Sequence, residues 1–111
     1  MKVAIIGSRN IPPDMYPKLC EEVPAGCSEI ISGGASGADK LAERYAAEHN
    51  IRLTVIRPDY AGLGKAAPLT RNAAIVARAD FVIALWDGKS PGTKQALKAC
   101  IDQGKPVKVI L

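Results

Sequence analysis

The sequence predicts one Rossmann-like α/β domain with three layers, in which helices cover both faces of a mainly parallel five-stranded sheet. Three observations predict this fold. Short apolar runs alternate along the chain with segments of helical periodicity. Gly-rich turns follow several of these runs, as they do where parallel strands lead into helices. The length of 111 residues fits one domain, which we place over residues 1–111.

The first strand and helix are predicted from an apolar run and a proline-led segment. Residues 3–7 are uninterrupted apolar residues that end in glycine, which is typical of a strand buried on both faces. A short helix is predicted over residues 12–22, where two prolines stand at the start and Met15 and Leu19 have helical spacing. Residues 24–26 end this helix.

A second strand, a glycine loop and a second helix follow. Residues 29–32 predict the strand, and residues 33–39 predict the loop. Residues 51–56 predict the third strand. The intervening helix has an apolar stripe at positions i, i+3, i+4 and i+7, formed by Leu41, Ala42, Tyr45, Ala46 and His49.

The second half of the chain begins with a long segment punctuated by Gly and Pro. Residues 58–69 are predicted to form a loop, and loops of this length often have a functional role. Thr70 is predicted to cap a helix that reaches residue 79. Residues 80–86 predict the strongest strand, and residues 87–93 predict a second glycine turn.

A final helix and strand complete the predicted fold. Gly104 is expected at the end of the helix, and residues 106–111 predict the last strand. The simplest strand order for right-handed crossovers is 3-2-1-4-5. The helix positions expected to face the sheet are Ala96, Leu97, Cys100 and Ile101.

Composition limits the classes of function. Apolar runs of about six residues are far shorter than the roughly 20 that a membrane span needs, so no membrane partner is expected. Cys20, Cys27 and Cys100 are odd in number and widely spaced, which favours reduced thiols over a disulfide framework or a zinc site. We therefore expect a cytoplasmic protein without a bound metal. A net charge of +4 favours anionic ligands, but the basic residues are dispersed.

The loop Ser32-Gly-Gly-Ala-Ser-Gly-Ala-Asp39 is the first candidate site. It places backbone N–H groups at the start of a helix, where unpaired donors and the helix dipole favour a phosphate. The alternative is that the glycines serve tight packing alone. The loop is neither Gly-x-Gly-x-x-Gly nor a Walker motif, so dinucleotide and P-loop chemistry are disfavoured.

The turn Asp87-Gly-Lys-Ser-Pro-Gly-Thr93 repeats this arrangement at a second helix start. A well-capped turn without a ligand is the alternative. Arg9 and the pair Arg71-Asn72 offer donors to phosphate or ribose. The alternative for each arginine is that it belongs to a surface ion pair. In the strand order above, these segments and the glycine loop meet at the carboxyl ends of neighbouring strands.

Other residues give weaker indications. Trp86 ends a strand and either stacks on a base or belongs to the core, the more common situation. His49 lies near a helix end without a carboxylate or Cys in phase, which is typical of a surface residue. The sequence contains no recognisable Ser/His/Asp triad, carboxylate pair or metal cluster.

Four motifs in order give the chain a family resemblance. They are Gly7-Ser8-Arg9, Ser32-Gly-Gly-Ala-Ser-Gly-Ala-Asp39, Gly64-Lys-Ala-Ala-Pro-Leu-Thr-Arg-Asn72 and Ala84-Leu-Trp-Asp-Gly-Lys-Ser-Pro-Gly-Thr93. Together they resemble the YspA-type branch of the SLOG superfamily over nearly the whole chain. The resemblance implies a Rossmann-like fold and a nucleotide-derived ligand. Relatives in the superfamily include the LOG phosphoribohydrolases and the single-stranded-DNA-binding DNA processing protein A.

The resemblance and the residue patterns point to the same ligand-binding positions. One departure concerns catalysis, because the LOG hydrolases carry a Glu after their Gly-Thr pair, whereas Gly92-Thr93-Lys94-Gln95 leads to Ala96. No catalytic residue is therefore assigned. The predicted ligand-binding residues are Gly7, Ser8, Arg9, Gly33, Gly34, Ser36, Gly37, Asp39, Arg71, Asn72, Asp87, Ser90, Gly92 and Thr93.

These observations lead to one functional hypothesis with two alternatives. The leading hypothesis is a domain that binds or senses a phosphate-bearing nucleotide derivative and requires no cofactor. The first alternative is a nucleotide or nucleoside-phosphate hydrolase that uses Asp39 or Asp87 in place of the missing Glu. The second is single-stranded nucleic-acid binding, which scattered basic residues and few aromatic residues make weaker. We also expect a homodimer.

Overall fold

Five parallel strands form one sheet in the computed structural model, which describes all 111 residues. The strands lie in the order β3-β2-β1-β4-β5, so the predicted order is confirmed. Every pair of neighbours is parallel. The strands are β1 (Lys2–Gly7), β2 (Glu29–Ser32), β3 (Arg52–Val55), β4 (Phe81–Leu85) and β5 (Val107–Ile110).

Helices connect the strands on both sides of the sheet. A 3₁₀ turn, Pro13–Met15, leads into the first of them, so Pro12 and Pro13 stand before the α-helix, and a third proline, Pro17, lies within its first turn. The left-handed Gly104 ends the last helix as expected. The helices are α1 (Tyr16–Glu22), α2 (Ala38–Glu48), α3 (Tyr60–Leu63), α4 (Ala67–Arg78) and α5 (Pro91–Gln103).

Alternating side chains of the central strands form two separate cores. Val3 and Ile5 of β1 belong to a cluster with residues of α1 and α2. Ala4 and Ile6 belong to a second cluster with residues of α4 and α5. Because successive residues of a strand point to opposite faces, an unbroken apolar run serves both layers at once. The three-layer fold predicted from these runs is confirmed.

The segment after β3 differs from the predicted loop. Residues 60–66 form α3 and a 3₁₀ turn, and α4 begins at Ala67 rather than after a Thr70 cap. The carboxylate of Asp59 accepts a hydrogen bond from the Gly62 N–H at 3.0 Å, which stabilises the short helix. The segment is therefore more ordered than its Gly and Pro content suggests.

The predicted inner face of α5 is only partly correct. Ala96 and Cys100 are buried, and Leu97 packs against the core, but Ile101 is 75% exposed. The apolar stripe is thus narrower than the sequence pattern indicates. None of the helices combines the length and the hydropathy that a membrane span requires.

Candidate functional site

A polar cleft of about 400 Å³ lies where β1, β2 and β4 reach their carboxyl ends. In this strand order the chain crosses from one side of β1 to the other, and ligand sites of α/β sheets lie at such switch points. Gly34, Ser36 and Gly37 are not among the lining residues. The predicted residues that do line the cleft are Gly7, Ser8, Arg9, Gly33, Asp39, Arg71, Asn72, Asp87, Ser90, Gly92 and Thr93.

Ser8 joins the segments that surround the cleft. Its side chain is buried, and its Oγ accepts a hydrogen bond from the Asp87 N–H at 3.2 Å. The same Oγ lies 3.4 Å from the Thr93 hydroxyl on α5. Its backbone N–H donates to the Leu85 carbonyl at 2.9 Å. Ser8 therefore holds the end of β1 against β4 and α5.

Asp87 shapes the turn that precedes α5. Its Oδ1 accepts hydrogen bonds from the N–H groups of Lys89 and Ser90, at 2.8 and 2.7 Å. Its Oδ2 accepts one from the Ser90 hydroxyl at 2.8 Å. These bonds hold the pKa of the Asp87 carboxyl far below its usual range. Such a group is a poor general acid or base, and it serves to fix the turn.

The N-terminus of α5 presents free donors to the cleft. Lys94 N–H is bonded to the Ser90 carbonyl at 3.2 Å, and Pro91 has no N–H. The amides of Gly92 and Thr93 therefore stand at the helix start without an intrahelical partner. Both residues line the cleft, and an added Cβ at Gly92 would meet no atom within 4 Å. This open helix terminus can receive a phosphate.

Three amides of the glycine loop and of the start of α2 already donate hydrogen bonds within the protein. Gly34 N–H donates to Ser32 Oγ at 3.2 Å, and Ala35 N–H donates to Asp39 Oδ2 at 3.0 Å. Ala38 N–H donates to the Ser8 carbonyl at 3.2 Å. Three of the donors that the sequence suggests for a phosphate are thus paired within the protein at this helix.

Gly37 explains why this loop is rich in glycine. It has a φ of +67°, and a Cβ there would collide with the carbonyl oxygens of Ser8 and Arg9. A side chain at Gly7 would likewise collide with the Leu85 carbonyl. These two glycines allow α2, β1 and β4 to approach closely, so tight packing of the backbone is sufficient reason for glycine at both positions.

Asp39 is a buried carboxyl at the edge of the cleft. It is 7% exposed and receives the Ala35 N–H described above. Burial raises its pKa above the ordinary value, and this effect exceeds the opposing amide hydrogen bonds and the charge of Arg71. Of the two carboxyls considered for hydrolysis, Asp39 is the one with a raised pKa.

Two arginines bring positive charge to the cleft. Arg71, on α4, donates from Nη1 to the Gly33 carbonyl at 2.9 Å and from Nε to Asn72 Oδ1 at 2.8 Å. Arg9 is exposed and makes no side-chain hydrogen bond within the protein. Neither forms an ion pair, because the four ion pairs of the structure involve other residues. Both charges are therefore available to an anion.

Several lining residues were not identified from the sequence. Asn10 directly follows the Gly7-Ser8-Arg9 motif, whereas Ala35 and Pro68 lie inside recognised motifs but were not selected as site residues. Trp86 is half-buried, and its indole N–H donates to the Ser90 carbonyl at 3.2 Å rather than facing the cleft. His49 is exposed and stacks on Tyr45, as expected for a surface residue. No group of residues in the structure has the arrangement of a metal site.

Comparison with known proteins places the chain in a family. A profile of the YspA, cpYpsA-related SLOG family matches residues 18–62. Gene 61 protein of Mycobacterium phage D29 is 34% identical over 84 residues, which cover 70% of this chain and 67% of that protein.

A solved structure supports the same relationship. DNA processing protein A from Helicobacter pylori, described for its mode of binding single-stranded DNA, aligns with a TM-score of 0.76 and 25% identity. The alignment covers 98% of this chain and 64% of that chain, so the present chain spans less than two thirds of the length of that relative. The five-stranded fold, the glycine-rich strand ends and these comparisons together show that the chain belongs to the YspA, cpYpsA-related SLOG family.

Proposed function

We propose that the cleft binds single-stranded nucleic acid, with one phosphate on the N-terminus of α5 and beside Arg9. The likeness to DNA processing protein A carries the choice of partner, because it extends over nearly the whole chain. The comparisons thus favour what the sequence patterns alone made the weaker alternative.

The electrostatics of the cleft support an anionic partner. Arg9 and Arg71 reach it without forming ion pairs, and the Gly92 and Thr93 amides add the positive end of a 13-residue helix. The carboxylate of Asp87 is engaged by neighbouring donors, which partly neutralise its repulsion of a phosphate. Charge-assisted hydrogen bonds from such groups are the strong ones in phosphate recognition.

Fluorescence anisotropy with a labelled single-stranded oligothymidylate of about twelve nucleotides tests the proposal. We expect the protein to bind the oligonucleotide and duplex DNA to compete poorly. The logarithm of the association constant should fall with the logarithm of the salt concentration, with a slope of about 0.7 per phosphate contact. Arg9→Gln should weaken binding about 10- to 150-fold if its guanidinium makes a charged hydrogen bond to phosphate.

Arg52→Gln is the matched control, because Arg52 is exposed at the opposite, amino end of β3. It should bind nearly as the wild type does. Wild-type protein that fails to bind the oligonucleotide at low salt would refute the proposal. Equal losses in the two variants would mean that net charge, and not the cleft, determines affinity.

A free nucleotide derivative is the second candidate, and the size of the cleft favours it. A volume of about 400 Å³ falls in the range of sites that enclose one small molecule. A mononucleotide at 100 times its Kd should add about 2.7 kcal/mol to the unfolding free energy. Tight mononucleotide binding together with no gain in affinity for the oligonucleotide would favour this second candidate over the first.

A further inference from the structure

Beyond the cleft, one side of the glycine loop combines a free cation with an exposed aromatic ring. Arg57 follows β3 and donates from Nη1 to the Gly34 carbonyl at 3.3 Å. Arg71 contacts the adjacent Gly33 carbonyl from the cleft side. The two guanidinium groups therefore approach neighbouring peptide units of the same turn, one inside the cleft and one outside it.

Tyr60 is the aromatic residue of this surface, and its exposure is unusual in the chain. Its side chain is 57% exposed, whereas Tyr16 and Tyr45 are buried and Phe81 and Trp86 are half-buried. It stands three residues after Arg57, in the first turn of α3. An exposed tyrosine ring is a surface on which a nucleic-acid base can stack irrespective of sequence.

The charges around this surface leave Arg57 unpaired. Arg57 is exposed and forms no ion pair. The nearest acidic residue in the chain, Asp59, directs its carboxylate to the Gly62 N–H on α3. The other side of the cleft also has an exposed cation, Lys89, but its aromatic neighbour Trp86 is tied to the Ser90 carbonyl.

We propose that a single strand leaves the cleft over the Gly33-Gly34 turn toward β3, with its next phosphate on Arg57 and its next base stacked on Tyr60. This inference rests on the proposed nucleic-acid function and deepens it by assigning a second nucleotide position and a direction of the strand. Neither residue lines the cleft, so a mononucleotide held there has no need of them.

Substitutions at Tyr60 and Arg57 test the assignment. Tyr60→Ala should weaken binding of the oligothymidylate about 5- to 150-fold, whereas Tyr60→Phe should restore it because the stacking face remains. Arg57→Gln should reduce the salt slope by about 0.7. Arg52→Gln removes the same charge from the other end of β3 and should leave the slope unchanged. The inhibition constant of thymidine 5′-monophosphate at the cleft should be the same in all these variants.

The outcomes separate this inference from the proposed function. Normal oligonucleotide binding by Tyr60→Ala and a normal salt slope for Arg57→Gln, combined with weak binding by Arg9→Gln, would overturn the strand path alone. Wild-type protein that binds mononucleotides but no oligonucleotide would overturn both proposals. Tyr60 is exposed, so its variants test the path without disturbing the fold.

Discussion

Gly92→Val is the substitution that tests the phosphate position most directly. Gly92 is the second residue of α5, has no positive φ, and has open space where a Cβ would stand. The Cβ of the valine therefore meets no protein atom within 4 Å, at a residue that lines the cleft. The unfolding free energy should stay the same or rise by up to about 1 kcal/mol, because glycine is a poor helix residue and entropically favours the unfolded chain.

The effect on binding follows from the amides of Gly92 and Thr93. A side chain that keeps a phosphate from these donors removes at least one charge-assisted hydrogen bond, which contributes about 1.5 to 3 kcal/mol. Kd should therefore rise about 10- to 150-fold. Anisotropy measures the affinity, and urea unfolding measures the stability.

A matched variant excludes a general effect of the added side chain. Gly26→Val introduces the same residue at another glycine without a positive φ and with nothing within 4 Å of the Cβ, far from the cleft. It should change neither stability nor affinity appreciably. If Gly92→Val bound the oligonucleotide as tightly as Gly26→Val does, the N-terminus of α5 would not be the phosphate position.

Three further predictions concern packing, pH and assembly. Gly37→Ala should destabilise the fold by more than about 2 kcal/mol, and by more than Gly104→Ala, since both have a positive φ but only Gly37 faces backbone oxygens; urea unfolding measures the difference. The lowered pKa of Asp87 contributes stability that is present above its ordinary value of 3.8 and lost as the pH falls below it. Asp87→Asn should therefore flatten the acid side of the stability profile, and a loss of stability as steep as that of the wild type would contradict this role. We also expect a homodimer, which a monomer mass in light scattering at micromolar concentration would exclude.

The strand order was predictable because it depends on short-range patterns. The buried strands β1 and β4 are continuous apolar runs, and their connections leave few right-handed arrangements. The order then brings distant motifs to one edge, so most predicted site residues line one cleft. The predicted loop over residues 58–69 is the main departure, and a specific contact accounts for it. The carboxylate of Asp59 supports a helix turn inside the predicted loop.

The division of roles between the two glycine-rich turns required the structure. Both turns precede a helix and have similar sequences, so local chemistry predicts a phosphate at each. The difference arises from tertiary contacts. At the first turn, Ala38 N–H is bonded to the Ser8 carbonyl and Asp39 takes the Ala35 N–H. At the second, Asp87 accepts from the residues before the helix.

The consequence is that three amides at the first turn are engaged within the protein, whereas Gly92 and Thr93 at the second turn line the cleft with amides that lack an intrahelical partner. Gly37 lets α2 approach the end of β1, and that contact positions Arg9, which directly follows Ser8. The Ser8 hydroxyl in turn contacts Asp87 and Thr93 at the start of α5. A substitution at Gly37 should thus impair binding through stability, whereas one at Gly92 should impair it directly. Measuring both quantities for both glycines separates the two roles, which a sequence pattern alone makes appear equivalent.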